Sequence, residues 1–274
     1  MKLSYYPGCS LHGTAKEYDE STRAVCYQLG IELFELEDWN CCGASSAHCT
    51  DEFLSNALPE RNLKIAAKSG LDLLVPCAAC YSRMMTAGKE NPSLKPTVKI
   101  RNLPELLREE DNFNRIREQV KTPLEGLKIA CYYGCLLTRP PKITEVKDYE
   151  NPQTMDGLVG ILGGETVSWP YKTECCGGSL AITHTDIVKR LTRKIIEMAM
   201  EAEADCLVTA CPMCQANLDT RQDEISRDEG KEYSLPIFYI TELIGLAIDE
   251  KKSGRWWKRH FVDPMPLLNS RGLI

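Results

Sequence analysis

Long apolar runs are missing from this chain of 274 residues. The best stretch, "LIGLAI", falls far short of the roughly 20 residues that a membrane helix needs, so no membrane span is expected. The start, "MKLSYYPGCS", has no apolar core of a secretory leader. Basic charge is also short: 33 Lys and Arg stand against 39 Asp and Glu, for a net charge of −6. With a pI near 5.4, the composition argues against nucleic acid as a partner, because such a partner asks for a basic face. There is no C-x2-C-x2-C-x3-C-P run of the bacterial cubane type. Nor is there a G-x-G-x-x-G fingerprint, so neither flavin nor nicotinamide is expected in this chain. Histidine is scarce, with four residues. The remaining reading is a soluble, cytoplasmic, globular protein, long enough for one large domain or two modest ones.

Cysteine is what the chain has in excess: fourteen residues. In a reducing compartment that number points to metal or redox chemistry before disulfides. Vicinal disulfides would account only for the two adjacent pairs. Ten of the fourteen fall into two matched sets. Cys9 is followed by Cys41-Cys42 and Cys77-x-x-Cys80; Cys135 is followed by Cys175-Cys176 and Cys211-x-x-Cys214. The patterns are C-x31-CC-x34-C-x2-C and C-x39-CC-x34-C-x2-C, with the same gap of 34 in both. The likeness extends to "YYPGCSL" against "YYGCLL", which pairs Tyr5, Tyr6 and Gly8 with Tyr132, Tyr133 and Gly134. It extends also to "LDLLVPCAAC" against "ADCLVTACPMC", and Ile100, Leu103 and Leu106 answer Ile240, Leu243 and Leu246. An internal duplication explains this most simply. The expected domains are 1–122 and 126–274, joined near "KTPLEG" (121–126), where Pro and Gly interrupt structured segments.

Each half reads as strands alternating with helices, which predicts an α/β architecture: two pseudo-symmetric domains with mostly parallel sheets and flanking helices. The strands are "KLSYY", "IELFEL" and "DLLV" in one half and "LKIACYY", "ETVSW" and "DCLV" in the other. Helices are expected over 15–29, 51–69 and 186–204, with Thr14, Thr50 and Thr185 as N-caps. "RPPK" delays the first helix of the second half to near Met155. Every motif cysteine then falls where a strand ends and a helix begins, the usual place for function in such sheets.

Thiolates are soft ligands suited to zinc, copper(I) or iron–sulfur groups. Five per half is one too many for a four-ligand zinc site or an ordinary cubane. Adjacent residues lie only about 3.8 Å apart at Cα, so neighbouring thiolates address neighbouring metal ions more naturally than one. Gly43 and Gly177, next in line, let the backbone turn and approach closely. An iron–sulfur cluster with an extra cysteine fits this pattern best.

The two CCG motifs together with "YYPGCSLHGT" strongly resemble the B-type subunit of heterodisulfide reductase and its bacterial relatives, over nearly the whole chain. The resemblance implies two non-cubane [4Fe-4S] clusters. One would be held by Cys9, Cys41, Cys42, Cys77 and Cys80, the other by Cys135, Cys175, Cys176, Cys211 and Cys214. It implies that a small-molecule disulfide is cleaved by two electrons between them. It implies also two partner subunits, one ferredoxin-like and one containing flavin, with electron bifurcation at the partner's flavin. An electron-transfer role without a disulfide substrate of its own is the alternative, and zinc in one half is a third reading.

His12, His48 and His184 follow the motif cysteines closely and are candidate proton donors, or else hydrogen-bond loop backbone. Arg139 and Lys142 are candidates to pair with an anionic substrate group, or else are solvated charges. Cys26, Cys131 and Cys206 read as core residues. Cys49 reads as local packing, with cluster contact as the alternative. "REEDNFNRIRE" is expected to be an exposed, mixed-charge face. His260 is expected at the surface. The tail "GRWWKRHFVDPMPLL" is expected either to dock a partner or to fold back.

Overall fold

The computed structural model describes residues 1–45, 47–91, 98–251 and 253–274. Two four-stranded sheets repeat one topology. The first contains β1 (Lys2–Tyr5), β2 (Glu32–Glu35), β3 (Leu73–Leu74) and β4 (Ile100–Arg101), in the order β2-β1-β3-β4. The second contains β5 (Lys128–Tyr132), β6 (Glu165–Thr166), β7 (Cys206–Thr209) and β8 (Ile237–Tyr239), in the order β6-β5-β7-β8. All the pairings are parallel. β7 and β8 are buried along their whole length. That is why "CLVT" and "IFY" carry no alternating polar face: helices cover both sides of a parallel sheet. Cys131, on β5, and Cys206, on β7, sit in this core, and Cys26 packs from the helix Lys16–Gln28.

In each half the chain leaves the central strand (β1 or β5) to one side, returns, and then crosses to the other. This creates a switch point at the carboxyl ends of the strands, where a crevice forms. Cys9, Cys41-Cys42 and Cys77 follow β1, β2 and β3; Cys135, Cys175-Cys176 and Cys211 follow β5, β6 and β7.

The helices lie where the sequence puts them, but the threonine caps do not. The first runs Lys16–Gln28 with Ala15 at its N-cap and no capping side chain. Thr50 ends a short helix, Ala47–Thr50, and Asp51 instead caps Glu52–Ser69, accepting from the Leu54 N–H at 2.8 Å. Thr185 is itself helical in Thr185–Glu201, which follows His184 without a side-chain cap. A charged carboxylate at the positive end of a helix outcompetes a neighbouring hydroxyl. The helix near Met155 runs Thr154–Ile161. The mixed-charge stretch forms the helix Glu110–Gln119, in which only Asn112 and Ile116 are buried.

The halves pack through exchanged, equivalent helices: Lys16–Gln28 against Ile240–Ala247, and Leu103–Arg108 against Thr154–Ile161. At the centre of the seam, Tyr18 and Tyr239 stack with ring centroids 4.1 Å apart. The Tyr18 hydroxyl lies 3.2 Å from the carbonyls of Pro76 and Ala210, the residues just before Cys77 and Cys211.

The tail folds back. Its helix Ser253–Trp256 packs on Lys16–Gln28, and Trp256 and Trp257 are buried. Gly245 makes room: a Cβ there would come within 2.5 Å of the Trp256 ring. His260 is not at the surface. Its side chain is fully buried, with Nε2 2.9 Å from Glu242 Oε1. The Asp219 carboxylate accepts the Phe261 and Val262 N–H groups at 2.8 and 3.0 Å and pins the tail over this histidine. Asp219 and Phe261 stand 42 positions apart in the chain, which hid this contact from sequence reasoning.

Candidate metal centres

Each five-cysteine set comes together as a connected row of sulfurs. In the first half, Cys9 Sγ lies 4.0 Å from Cys41 Sγ, and Cys42 Sγ lies 3.1 Å from Cys80 Sγ. In the second half, Cys135 and Cys175 are 3.7 Å apart, and Cys176 and Cys214 are 3.6 Å apart. The Cys77 and Cys211 thiols interact with each other across the seam, so the two rows meet there. Among the described residues, no group of three or more His, Cys, Asp or Glu is arranged to hold one metal ion. All fourteen cysteines are free thiols.

The backbone is shaped around the sulfurs. Gly8 and Gly134 turn at φ +69° and +65°, and a Cβ on either would lie only 3.2 and 3.0 Å from the sulfur of Cys80 and Cys214 respectively. The N–H groups of Gly43 and Gly177 point at the Cys41 and Cys175 sulfurs, at 3.4 and 3.3 Å. Two phenols fasten the Cys-Cys loops: Tyr6 donates to the Asn40 carbonyl at 2.8 Å, and Tyr132 donates to the Glu174 carbonyl at 2.7 Å. These two tyrosines are therefore the equivalents, not Tyr5 with Tyr132. Pro7 stands where Tyr133 stands in the second half, so the two turns are equally long and the pairing read from the aligned "YY" shifts by one residue. Asn217 adds a donor to the Cys176 carbonyl at 3.1 Å and faces its sulfur at 3.7 Å.

Crowding decides which thiols ionise. Hydrogen bonds from Cys42 and Cys9 hold Cys41 far below the ordinary thiol range, while the same contact pushes Cys42 up to about 11. In the second half, the hydrogen bond from Cys135 brings Cys175 down to about 6, helped by the Gly177 N–H and the charge of Arg139. Cys9 and Cys135, which give those bonds, are raised. Cys211 is lowered by its bond from Cys214, with backbone N–H groups of the following helix adding to the effect. Cys41 in the first row, and Cys175 and Cys211 in the second, are thus held low, and their neighbours Cys9, Cys42, Cys135 and Cys214 are raised by these contacts. Full ionisation of either row needs positive charge placed among the sulfurs, which is what a soft polynuclear metal group provides. The donors, the glycine clearances and the inward N–H groups all fit such a group.

A cavity of about 470 Å³ opens at the seam beside the second row. All five second-half motif cysteines line it, while none of the first five does. Opposite them stands one face of the helix Ala78–Glu90, through Ala79, Ser82, Arg83 and Thr86. Of the three histidines, His48 lines the cavity. His12 is instead paired with Glu35 at 2.9 Å and set edge-on against Trp39. His184 is exposed just before the helix Thr185–Glu201. Lys142 lines the cavity, but Arg139 does not, and its guanidinium donates to the Thr173 carbonyl. Arg83 was not foreseen; it lies three residues after Cys80, at the position Asn217 holds after Cys214. Cys49 is exposed, with its sulfur 3.5 Å from the ring of His48.

Residues 3–85 and 129–219 match the model of the cysteine-rich CCG domain, one copy per half. The chain belongs to the CCG family. Among its CCG relatives, the 8-methylmenaquinol:fumarate reductase membrane anchor subunit of Wolinella succinogenes is 31% identical, over 90% of this chain and 92% of that protein. The B subunit of ferredoxin:CoB-CoM heterodisulfide reductase from Methanosarcina mazei is 29% identical, over 90% of this chain and 89% of that protein. A protein of Archaeoglobus profundus described as like the heterodisulfide reductase B subunit is 26% identical, over 90% of this chain and 91% of that protein. A crystal structure of a hypothetical protein from Helicobacter pylori shares the fold, with a TM-score of 0.75 at 12% identity. It covers 96% of this chain and 52% of that one. Among the described residues, no helix of this CCG protein is long and apolar enough to cross a membrane.

Proposed function

We propose that this CCG protein is the catalytic iron–sulfur subunit of a heterodisulfide reductase-like oxidoreductase, cleaving a small disulfide to two thiols. Cys9, Cys41, Cys42, Cys77 and Cys80 would hold one non-cubane [4Fe-4S] cluster, and Cys135, Cys175, Cys176, Cys211 and Cys214 the other. Bound there, the two clusters would each supply one electron. The disulfide takes up two electrons and two protons and leaves as two thiols. The observation that carries this reading is the seam cavity lined by a complete cysteine row, of a size within the usual range for small-molecule sites.

The chain's own residues have definite tasks. The Tyr6 and Tyr132 hydrogen bonds hold the Cys-Cys loops in place. The contact of Cys77 with Cys211 puts the two rows in communication, so that electrons cross the seam over a short path. His48, in the cavity wall, is the candidate proton donor, and His12 and His184 have weaker support. Electrons would come from a ferredoxin-like partner fed in turn by a flavin-containing one. Fourteen free thiols suit a cytoplasmic location.

The test is anaerobic: protein pre-reduced by dithionite and freed of reductant is mixed with small disulfides. Two thiols released per two electrons lost supports the reading; no oxidation by any disulfide refutes it. The second reading, an electron relay without its own substrate, is favoured by the exposure of Cys9 and Cys41 and by the relative named for fumarate reductase. That outcome would leave it standing.

A further inference from the structure

The tail that folds back over the first half encloses a charged group that the proposed reaction does not use. Glu17, Asp219, Glu242 and the His260 side chain are all buried. Each comes from a different element: the helices Lys16–Gln28, Pro212–Thr220 and Ile240–Ala247, and the tail. Three enclosed carboxylates with one imidazole are costly to ionise together, because a buried charge needs a partner. Two of the three have theirs. Glu242 meets His260 Nε2 at 2.9 Å through one oxygen and accepts the Tyr239 N–H at 2.9 Å through the other. Asp219 accepts the Phe261 and Val262 N–H groups and the Gln215 side-chain amide. Glu17 is left over: its Oε2 is buried with no hydrogen-bond partner among the described residues. Burial, with Glu242 adding to it, pushes this carboxyl up to about 7, against the pull of its own N–H, His260 and Arg259.

The group is wired to the seam where the cysteine rows meet. Glu17 directly precedes Tyr18, whose hydroxyl lies against the carbonyls just before Cys77 and Cys211. Gln215, which holds Asp219, directly follows Cys214, and its side-chain oxygen lies 3.4 Å from the Tyr239 hydroxyl. Besides its burial, the Tyr239 phenol feels the charges of Glu17 and Glu242 and also that of Cys211. Neither Glu17 nor His260 lines the seam cavity, so a proton held here balances charge and is not handed to a substrate. Solvent is close by. Glu20, one turn along the same helix, is exposed and paired with Arg259 at 2.8 Å.

We propose that Glu17 is a redox-linked proton site: it takes one proton from solvent when the iron–sulfur group on the second cysteine row gains one electron from its reductant, and releases that proton when the electron leaves. An electron added near a buried carboxylate disfavours the carboxylate's charge, and by linkage the proton then favours the electron. The first of the two electrons that a disulfide takes up is thus held without adding net charge to the interior. This inference rests on the iron–sulfur reading proposed above.

The experiment titrates anaerobically purified, iron-loaded protein with dithionite and redox mediators at a series of pH values, and follows reduction by visible and electron paramagnetic resonance spectra. One charge about 10–15 Å away, at an effective dielectric of about 20, changes the proton affinity of a buried acid about tenfold. The midpoint potential should therefore fall by about 59 mV, the equivalent of tenfold for one electron. The drop should begin near pH 7, where Glu17 titrates. Glu17→Gln, neutral like the protonated acid and of the same shape, should keep its iron and hold the higher, acid-limit potential at every pH. His260→Gln removes a cation that pulls Glu17 down, so the drop should survive and move to higher pH. Infrared difference spectra of the unaltered protein, taken on reduction near this pH, should gain the carbonyl stretch of a protonated carboxylic acid, and Glu17→Gln should lack it. A purely structural role for Glu17 would change stability and leave the drop in place. Should Glu17→Gln not fold, the infrared band of the unaltered protein and the displaced drop in His260→Gln decide. A potential independent of pH, a drop that persists in Glu17→Gln, or no such band overturns the proton site and leaves the clusters and the disulfide chemistry standing. If the protein holds no reducible iron–sulfur group, this inference falls together with the function beneath it.

Discussion

Replacing Gly134 by alanine tests how tightly the backbone is built around a cysteine row. Two costs arise, and a second glycine separates them. Gly134 and Gly126 both sit in the left-handed region, at φ +65° and +74°. A Cβ on Gly126 would meet nothing within 4 Å, whereas one on Gly134 would stand 3.0 Å from Cys214 Sγ and 3.6 Å from the Tyr132 ring. Gly126→Ala therefore carries only the left-handed cost, about 1–2 kcal/mol. Gly134→Ala adds overpacking against a buried sulfur, about 1–3 kcal/mol more, for a total of about 2–5 kcal/mol. The side chain that must give way is a motif thiol, Cys214, packed beside the tyrosine that holds the Cys-Cys loop, so iron binding should suffer along with stability. Denaturant unfolding under nitrogen and iron per chain on the same samples read both effects. Equal stability and equal iron in the two variants would refute the claim that Gly134 is required by its approach to Cys214.

Further outcomes are expected. Cys42→Ala should remove about half of the iron, the share of one of two four-iron clusters, and halt disulfide turnover. Cys26→Ala, Cys131→Ala and Cys206→Ala should keep all the iron, since those thiols pack in the core; metal analysis distinguishes them. Trp256→Ala should cost about 3–5 kcal/mol by emptying the pocket beside Gly245, as read by unfolding followed through tryptophan fluorescence. Stability should fall as pH rises from about 7 to beyond 9. Burial opposes the charge on His260, but Glu242, with Asp219 and Glu17 beyond it, raises this histidine to about 9 from an ordinary 6.5. Its stabilising effect is complete below about 6.5 and is lost as pH passes 9. Glu17, pushed up to about 7 chiefly by burial, acts in the same direction at lower pH. His260→Gln should flatten the alkaline limb of the melting curve against pH, and an unchanged limb would exclude this origin.

Much of the fold was legible because its signals are local. The identical gap of 34 residues reflects one topology used twice, and the apolar runs "CLVT" and "IFY" are the fully buried strands β7 and β8. The motif cysteines could be grouped by spacing because each follows a strand end. Contacts between distant elements left no such trace. Arg83 becomes part of a site only when Pro141–Thr144 packs on its helix, and His260 becomes buried only when the tail crosses Lys16–Gln28. The threonine caps were displaced by a single residue: Asp51 takes the place of Thr50, the helix at Thr185 starts one residue early, and the helix after Thr14 starts one residue late, behind Ala15. The one-sided position of the cavity is a property of the packed halves, which the near-identical cysteine patterns conceal.

The central claim is that each cysteine row holds an iron–sulfur cluster. Iron, zinc and acid-labile sulfide per chain, measured on protein purified without oxygen, test it most directly. Roughly eight irons with matching sulfide and no zinc are predicted for two four-iron clusters. About four irons with one zinc would contradict the account, making one row structural and leaving a single cluster where two one-electron donors are required.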